Sequence, residues 1–161
     1  MISQKLQQAI NDQIAAELWS ANLYLAMSFY LEREGFDGFA HWMKCQSEEE
    51  TDHAYQMAQY MIKRGGVPKI GMVDVVPEGW GGPLEVFEHV YEHECHVSKL
   101  INELVSVASA EKDNATQDFL WGFVREQVEE EATALDIVEK MRHAKDLGGV
   151  FYLNDKLGAR K

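Results

Sequence analysis

The chain contains few cysteines and few basic residues, and each shortage excludes a class of protein. Its two cysteines, Cys45 and Cys95, form neither a CxxC motif nor a Cys/His zinc pattern, so we expect no disulfide framework and no structural zinc. Lys and Arg number 15 against 27 Asp and Glu, which gives a net charge of −12 at pH 7. A chain this acidic repels nucleic acid and anionic membranes and attracts cations. The charge balance therefore predicts no nucleic-acid partner and favours a metal as ligand.

Long apolar runs and an export signal are also missing. The most apolar window, 18–31, is interrupted by Ser20, Asn22 and Ser28 and is shorter than the roughly 18 residues that a membrane helix needs. The first ten residues, MISQKLQQAI, lack the basic-then-apolar profile of a signal peptide. We therefore expect a soluble, cytoplasmic protein with no membrane partner.

Proline is absent outside one short stretch. The three prolines, Pro68, Pro77 and Pro83, lie close together, and six of the 12 glycines fall between 65 and 82. Because strand-like alternation is absent and helix breakers are this localised, the remaining segments are predicted to be helical. The predicted helices span 4–34, 37–64, 83–111, 114–146 and 150–158. The boundary signals are Ser3, Asp37 and Asn114 as N-caps, Pro83 as a first helical residue, and Gly148 with Gly149 as the end of the fourth helix.

The lengths of the connections predict the topology. The links near 35 and 112 are short, so the first two helices and the next two should form antiparallel hairpins. The crossover 65–82 can stretch to about 60 Å, whereas a helix of about 28 residues is about 42 Å long. It can therefore run the full height of the bundle. The predicted fold of residues 1–161 is a single all-α domain, a ferritin-like four-helix bundle with a long crossover and a short fifth helix.

Each of the four long predicted helices places one glutamate at the middle of its apolar stripe. These residues are Glu17, Glu50, Glu94 and Glu130. Because each lies near its helix midpoint, the four share one layer whichever way the helices run. An unpaired buried carboxylate costs several kcal/mol, and no Lys or Arg lies on these stripes to neutralise the charge. One such glutamate alone could equally be a surface residue, but four together favour a core metal site.

Two divalent cations would balance the four negative charges of this layer. His53 lies three residues after Glu50, so both side chains can point at one site and Glu50 can bridge to a second metal. Carboxylate oxygens with one imidazole suit iron or manganese better than a soft-ligand metal. The sequence therefore predicts a two-metal centre inside the bundle.

At these positions the sequence resembles a known family. The resemblance is carried by Glu17 with Tyr24, EEETDH at 48–53, Glu94, and REQVEEE at 125–131. Over essentially the whole chain the pattern is similar to that of the bacterial non-haem ferritins. The resemblance implies a homo-oligomeric shell of twenty-four subunits, each with a di-iron ferroxidase centre. That centre would oxidise Fe(II) with O2 or H2O2, and the ferric oxide mineral would be stored inside the shell.

The resemblance also implies a role for each residue of the centre. Glu17, Glu50 and His53 would bind the first iron. The second iron would be bound by Glu50, Glu94 and Glu130, with Gln127 beside it. A possible third iron site would consist of Glu49, Glu126 and Glu129, although a solvated acidic face is an equally good interpretation of these three. Tyr24 is expected near the first iron, either as a redox-active neighbour or as a core aromatic.

Gln127 separates this family from the alternative functions. Di-iron oxidases that act on other substrates typically carry Glu-x-x-His on two helices, whereas QVEE stands at 127–130 here. A neutral amide should hold the second metal less firmly, so we expect iron to pass through as a substrate. The intact ligand set within the bundle and the short fifth helix also disfavour a dodecameric mini-ferritin.

Two further groups of residues carry weaker expectations. Bacterioferritins bind haem through a methionine just after the second-helix glutamate, where this chain has Thr51 and Asp52, so we expect no haem. Met43 and Met57 lie on the core stripe and are interpreted as packing residues. The third helix carries three histidines, His89, His93 and His96, which we expect on an outer, solvated face.

Overall fold

Five helices and no strand make up the computed structural model, which describes all 161 residues. The helices are α1 (Gln4–Arg33), α2 (Asp37–Lys63), α3 (Pro83–Ala110), α4 (Asn114–His143) and α5 (Leu147–Gly158). The pairs α1–α2 and α3–α4 form two helical hairpins, α1 also packs on α3, and α5 packs mainly on α2. This is the predicted four-helix bundle with a short fifth helix. No helix is both long enough and apolar enough to cross a membrane.

The crossover between α2 and α3 runs along the length of α1. Near its start, the backbone N–H of Lys69 donates to Asn11 Oδ1 at 2.7 Å. At its end, Tyr30 donates its hydroxyl hydrogen to the carbonyl oxygen of Gly81 at 2.6 Å. Trp80 is buried edge-on against the Tyr30 ring. These contacts follow α1 from its first turns to its last, so the long crossover is confirmed.

The core consists of two hydrophobic clusters, one on each side of the mid-bundle glutamates. One cluster of 17 buried residues contains Met43 and Phe87, and the other, of 13, contains Met57 and Ile101. On each of the four long helices, the central glutamate lies between residues of the two clusters in sequence. The bundle is thus apolar at both ends and polar in the middle, so that the site is enclosed by packed side chains.

Capping side chains begin α1, α4 and α5, and the cap of α4 differs from the prediction. Ser3 Oγ accepts a hydrogen bond from the backbone N–H of Leu6 at 3.2 Å, as expected of an N-cap. For α4 the cap is Asp113, which accepts from the Thr116 backbone N–H at 2.9 Å, and the predicted Asn114 is already helical.

The cap of α2 and the end of α4 also differ from the prediction, although α2 starts at residue 37 as predicted. Asp37 is the first helical residue of α2 rather than its cap, a position that Phe36 occupies. The helix α4 ends at His143, and the glycines at 148–149 lie in the first turn of α5. The reason is that Asp146 caps α5 by accepting a backbone N–H from this turn at 2.8 Å. A cap must have non-helical backbone, so the chain leaves α4 earlier than the glycines suggested.

Candidate metal centre

One group of side chains is already arranged as metal ligands. Glu17, Glu50 and His53 are 1%, 2% and 6% exposed, and one ligand atom of each lies within 4.8 Å of the others. Glu17 comes from α1, whereas the other two residues lie one turn apart on α2. No other three His, Cys, Asp or Glu side chains converge in this way. The structure therefore brings together the three residues predicted for the first iron.

The imidazole of His53 is oriented by carboxylates on both sides. Its Nδ1 atom lies 3.4 Å from Glu50 Oε2 and 3.7 Å from Glu17 Oε2, and its Nε2 atom lies 3.0 Å from Glu126 Oε1. Burial lowers the pKa of His53, but the neighbouring carboxyl groups of Glu126, Glu17 and Glu50 outweigh it and hold the pKa far above its ordinary value. Without a metal, the protonated imidazole is the cation of this group. A histidine that binds metal through one nitrogen commonly donates the other N–H to a carboxylate, as this geometry allows.

Glu17 has a carboxylate oxygen without a partner. Its Oε1 atom accepts from Gln13 Nε2 at 2.8 Å, but its Oε2 atom is buried and has no hydrogen bond, unlike every other buried side-chain oxygen or nitrogen. Burial opposes ionisation of Glu17, yet the nearby side chains of His53, Glu50 and Gln13 lower its pKa. Burial, together with the charge of Glu17, raises the pKa of Glu50 well above its usual range. The orphaned oxygen of an ionised carboxylate fits a cation, because burying it unpaired is costly.

The carboxylates predicted for the second iron are instead held by neutral hydrogen-bond donors. Glu94 is fully buried; Tyr24 donates its hydroxyl hydrogen to Oε1, and Gln127 Nε2 donates to Oε2 at 3.1 Å. Burial raises the pKa of Glu94 to about 7. Glu130 is less buried and accepts from Gln46 Nε2 at 3.0 Å, and burial raises its pKa as well. Tyr24, expected near the first iron, thus contacts Glu94, a carboxylate predicted for the second iron.

The residues predicted for a third iron do not form one group. Glu49 pairs with Arg160 at 2.5 Å, Glu126 pairs with His53, and Glu129 is exposed. The sequence reasoning missed Arg160, which reaches this flank only because α5 packs on α2. It also missed Gln13, although its position four residues before Glu17 on α1 signals a contact on the same helix face.

One of the three α3 histidines is not on an outer face. His89 and His96 are exposed as expected, but His93 packs between Trp19 and Tyr24 of α1. Its Nε2 atom lies 2.8 Å from Ser20 Oγ, and burial lowers its pKa to about 4. The expectation was wrong for His93 because α1 covers a wider face of α3 than the stripe that contains Glu94.

The chain is similar to known proteins over its full length. Residues 7–144 match the family model described as the ferritin-like domain. A bacterial non-heme ferritin of Bacteroides fragilis strain 638R is 69% identical over 99% of this chain and 100% of its own. A bacterial non-heme ferritin of Campylobacter jejuni is 35% identical over 97% of this chain and 93% of its own. Among solved structures, an open pore ferritin from the archaeon Archaeoglobus fulgidus superposes with a TM-score of 0.97 at 48% identity, covering 100% of both chains.

Proposed function

The chain belongs to the ferritin family, among the bacterial non-haem ferritins, and from that premise we propose that it stores iron by oxidising Fe(II) at the mid-bundle carboxylate site. The observation that carries the proposal is the buried Oε2 atom of Glu17, which accepts no hydrogen bond and lies beside the ligand atoms of Glu50 and His53. An ionised oxygen in this position is best stabilised by a divalent cation with oxygen and nitrogen ligands. Iron is the substrate and the cargo of this site.

The first iron would be bound by Glu17, Glu50 and His53. The Nδ1 atom of His53 faces the two carboxylates, so it is the nitrogen placed to bind the metal. Metal binding at Nδ1 requires this atom to lose its proton, while Nε2–H stays hydrogen-bonded to Glu126. Glu126 then acts as a positioning residue that fixes the orientation of the imidazole.

The second iron would be bound by Glu50, Glu94 and Glu130. Glu50 can serve both metals, because a carboxylate has two oxygens. A metal here would compete with the hydrogen bonds that Glu94 accepts from Tyr24 and Gln127 and with the one that Glu130 accepts from Gln46. Since Gln127 adds no negative charge, the second iron is held less firmly, and iron passes through the site as a substrate.

The reaction at this site is an oxidation of two ferrous ions. Each Fe(II) gives up one electron, and one O2 molecule takes both electrons and two protons to become H2O2. With H2O2 as the oxidant, the same two electrons and two protons yield two water molecules. The protein holds the two metals close together on oxygen ligands so that both electrons reach one oxidant.

The finer parts of the proposal concern assembly and neighbouring sites. We expect a cytoplasmic shell of twenty-four subunits that encloses the ferric mineral and carries no haem. A third iron would be bound at the flank of Glu49, Glu126 and Glu129. A measurement of particle mass distinguishes this assembly from a twelve-subunit mini-ferritin. It also distinguishes a shell from a small di-iron oxidase that acts on another substrate.

The test is to add Fe(II) anaerobically to metal-free protein and then admit air, while absorbance, oxygen uptake and particle mass are recorded. We expect oxidation followed by mineral growth inside a particle of about twenty-four subunits. Glu50→Ala and His53→Ala should each slow oxidation sharply and leave a folded particle, since removing buried charge need not reduce stability. Glu103→Ala is the control, because Glu103 is an exposed glutamate of α3 that belongs to none of these sites. Equal oxidation rates in Glu50→Ala and Glu103→Ala would refute the proposed function.

A further inference from the structure

The flank predicted for a third iron already contains a cation supplied by the chain itself. Arg160 lies two residues after α5, and its Nη2 atom contacts Glu49 Oε2 at 2.5 Å. Glu49 is the residue directly before Glu50, the carboxylate proposed to serve both irons. The side chains of Arg160 and Glu49 are 24% and 46% exposed, so the pair lies at the edge of the bundle, where ions from solvent reach it.

Several contacts other than Glu49 hold Arg160 in this position. Its Nη1 atom donates to the carbonyl oxygen of Trp42 at 3.3 Å, and its guanidinium carbon lies 5.0 Å from the centre of the Trp42 ring. Its backbone oxygen lies 2.7 Å from His41 Nε2, which donates to it. Arg160 is therefore held beside Glu49 by contacts other than the ion pair itself.

The position of this tail is determined by the packing of α5 on α2. Asn154 Oδ1 accepts from the backbone N–H of Phe39 at 3.0 Å, and Asn154 Nδ2 donates to Asp37 Oδ1 at 3.3 Å. Gly38 lies against Asn154 and leaves no room for a Cβ. Because α5 is fixed to α2 in this way, the guanidinium is directed at the acidic flank rather than at solvent.

A cavity of about 260 Å³ opens beside the ion pair and is lined by Glu48, Glu49, Asp52 and Arg160, among others. A hydrated ferrous ion that enters it meets Glu49, which directly precedes Glu50 in the sequence. A guanidinium and a ferrous ion on the same carboxylate repel each other. Iron at this flank therefore meets a carboxylate whose charge Arg160 already offsets.

We propose that Arg160 is a built-in counter-ion of the third iron position, which competes with Fe(II) for Glu49 and keeps that position weak. The inference rests on the proposed function, because it requires that iron is oxidised at the adjacent di-iron centre and passes this flank. A weak third position favours release of iron from the protein after oxidation rather than retention. Arg160 is in this sense a positioning residue, because it acts on iron through Glu49.

The experiment is anaerobic titration calorimetry with Fe(II), which resolves the first two equivalents at the di-iron centre from the third. In Arg160→Gln the third equivalent should bind about two- to fivefold more tightly, the range expected for losing a partly exposed ion pair. Arg160→Lys should restore weak binding. The first two equivalents should not change, and Arg142→Gln, which removes an exposed arginine paired with Glu88, should change nothing.

The double variant tests whether the effect acts through Glu49. Adding Arg160→Gln to a Glu49→Gln background should leave the affinity of the third equivalent unchanged. An unchanged third equivalent in Arg160→Gln alone, or an equal gain in the Glu49→Gln background, would overturn the role of Arg160. If the unmodified protein fails to bind even two equivalents, the proposed function itself is refuted. The two failures are thus distinguishable in one titration.

Discussion

The two halves of the carboxylate site satisfy their charges in different ways. In the first half, Glu17 keeps one buried oxygen without a donor, and the only cation nearby is protonated His53. In the second half, Glu94 receives hydrogen bonds on both oxygens, from Tyr24 and from Gln127. The first half therefore gains most from a bound cation, whereas a cation in the second half competes with donors that already stabilise Glu94.

This difference predicts an order of binding and a role for each half. The first iron replaces the proton of His53 and satisfies the orphaned oxygen of Glu17. The second iron competes with hydrogen bonds that already stabilise Glu94, so it binds more weakly and leaves more readily. Such an arrangement suits iron that arrives, is oxidised and moves on.

The largest expected effect comes from Glu17→Gln. This substitution removes the charge that the first half offers to iron, so the affinity of the first Fe(II) should fall by more than about 100-fold, beyond the 10- to 100-fold typical of residues that only orient a ligand. Glu94→Gln, the matched change in the second half, should weaken only the second iron. Anaerobic Fe(II) titration measures both. Equal losses of first-iron affinity in the two variants would show that the halves do not differ.

Glu126→Ala should have the next largest effect. It removes the carboxylate that holds His53 Nε2 at 3.0 Å, and we expect a loss of about 10- to 100-fold in first-iron affinity. Glu129→Ala is the control, since Glu129 is an exposed acidic residue of the same α4 segment. If the two variants weaken the first iron equally, the effect is general electrostatics and not the orientation of the imidazole.

Gln127→Glu should make the second half resemble the first. An added carboxylate beside Glu94 should tighten the second iron by about tenfold and slow its release. The measurement is the iron retained after gel filtration, with Gln117→Glu as a control on the same helix. Unchanged retention would mean that the neutral amide does not explain the passage of iron.

The smallest expected effect is that of pH on the second half. Burial raises the pKa of Glu94 to about 7, so the metal-free protein keeps a proton there at pH 6 that iron must displace. Second-iron affinity should rise by about fivefold from pH 6 to 7 and by less than twofold from pH 7 to 8. The same shift means that the metal-free fold loses stability from this group as the pH rises from about 4.5 to 7. Calorimetry in two buffers of different ionisation enthalpy measures the released proton, and no proton release at pH 6 would contradict this assignment.

Sequence periodicity predicted which helix faces carry the site residues, but it did not predict the partners of their side chains. The spacing of Glu50 and His53 on one helix was enough to place both on the same face, and the length of the crossover was enough to predict the bundle topology. Partners that come from elsewhere in the chain cannot be read from spacing. Arg160 reaches Glu49 from 111 residues away, and His93 meets Ser20 across 73. The α4 boundary was missed for a related reason, since the cap of the following helix determined it.

The most direct test of the difference between the two halves is anomalous diffraction at the iron edge from metal-free crystals soaked anaerobically with increasing Fe(II). Iron should appear first among Glu17, Glu50 and His53, and density beside Glu94 and Glu130 should follow only at higher concentration. Iron that fills the Glu94 side first, or both halves in parallel from the lowest concentration, would contradict the account.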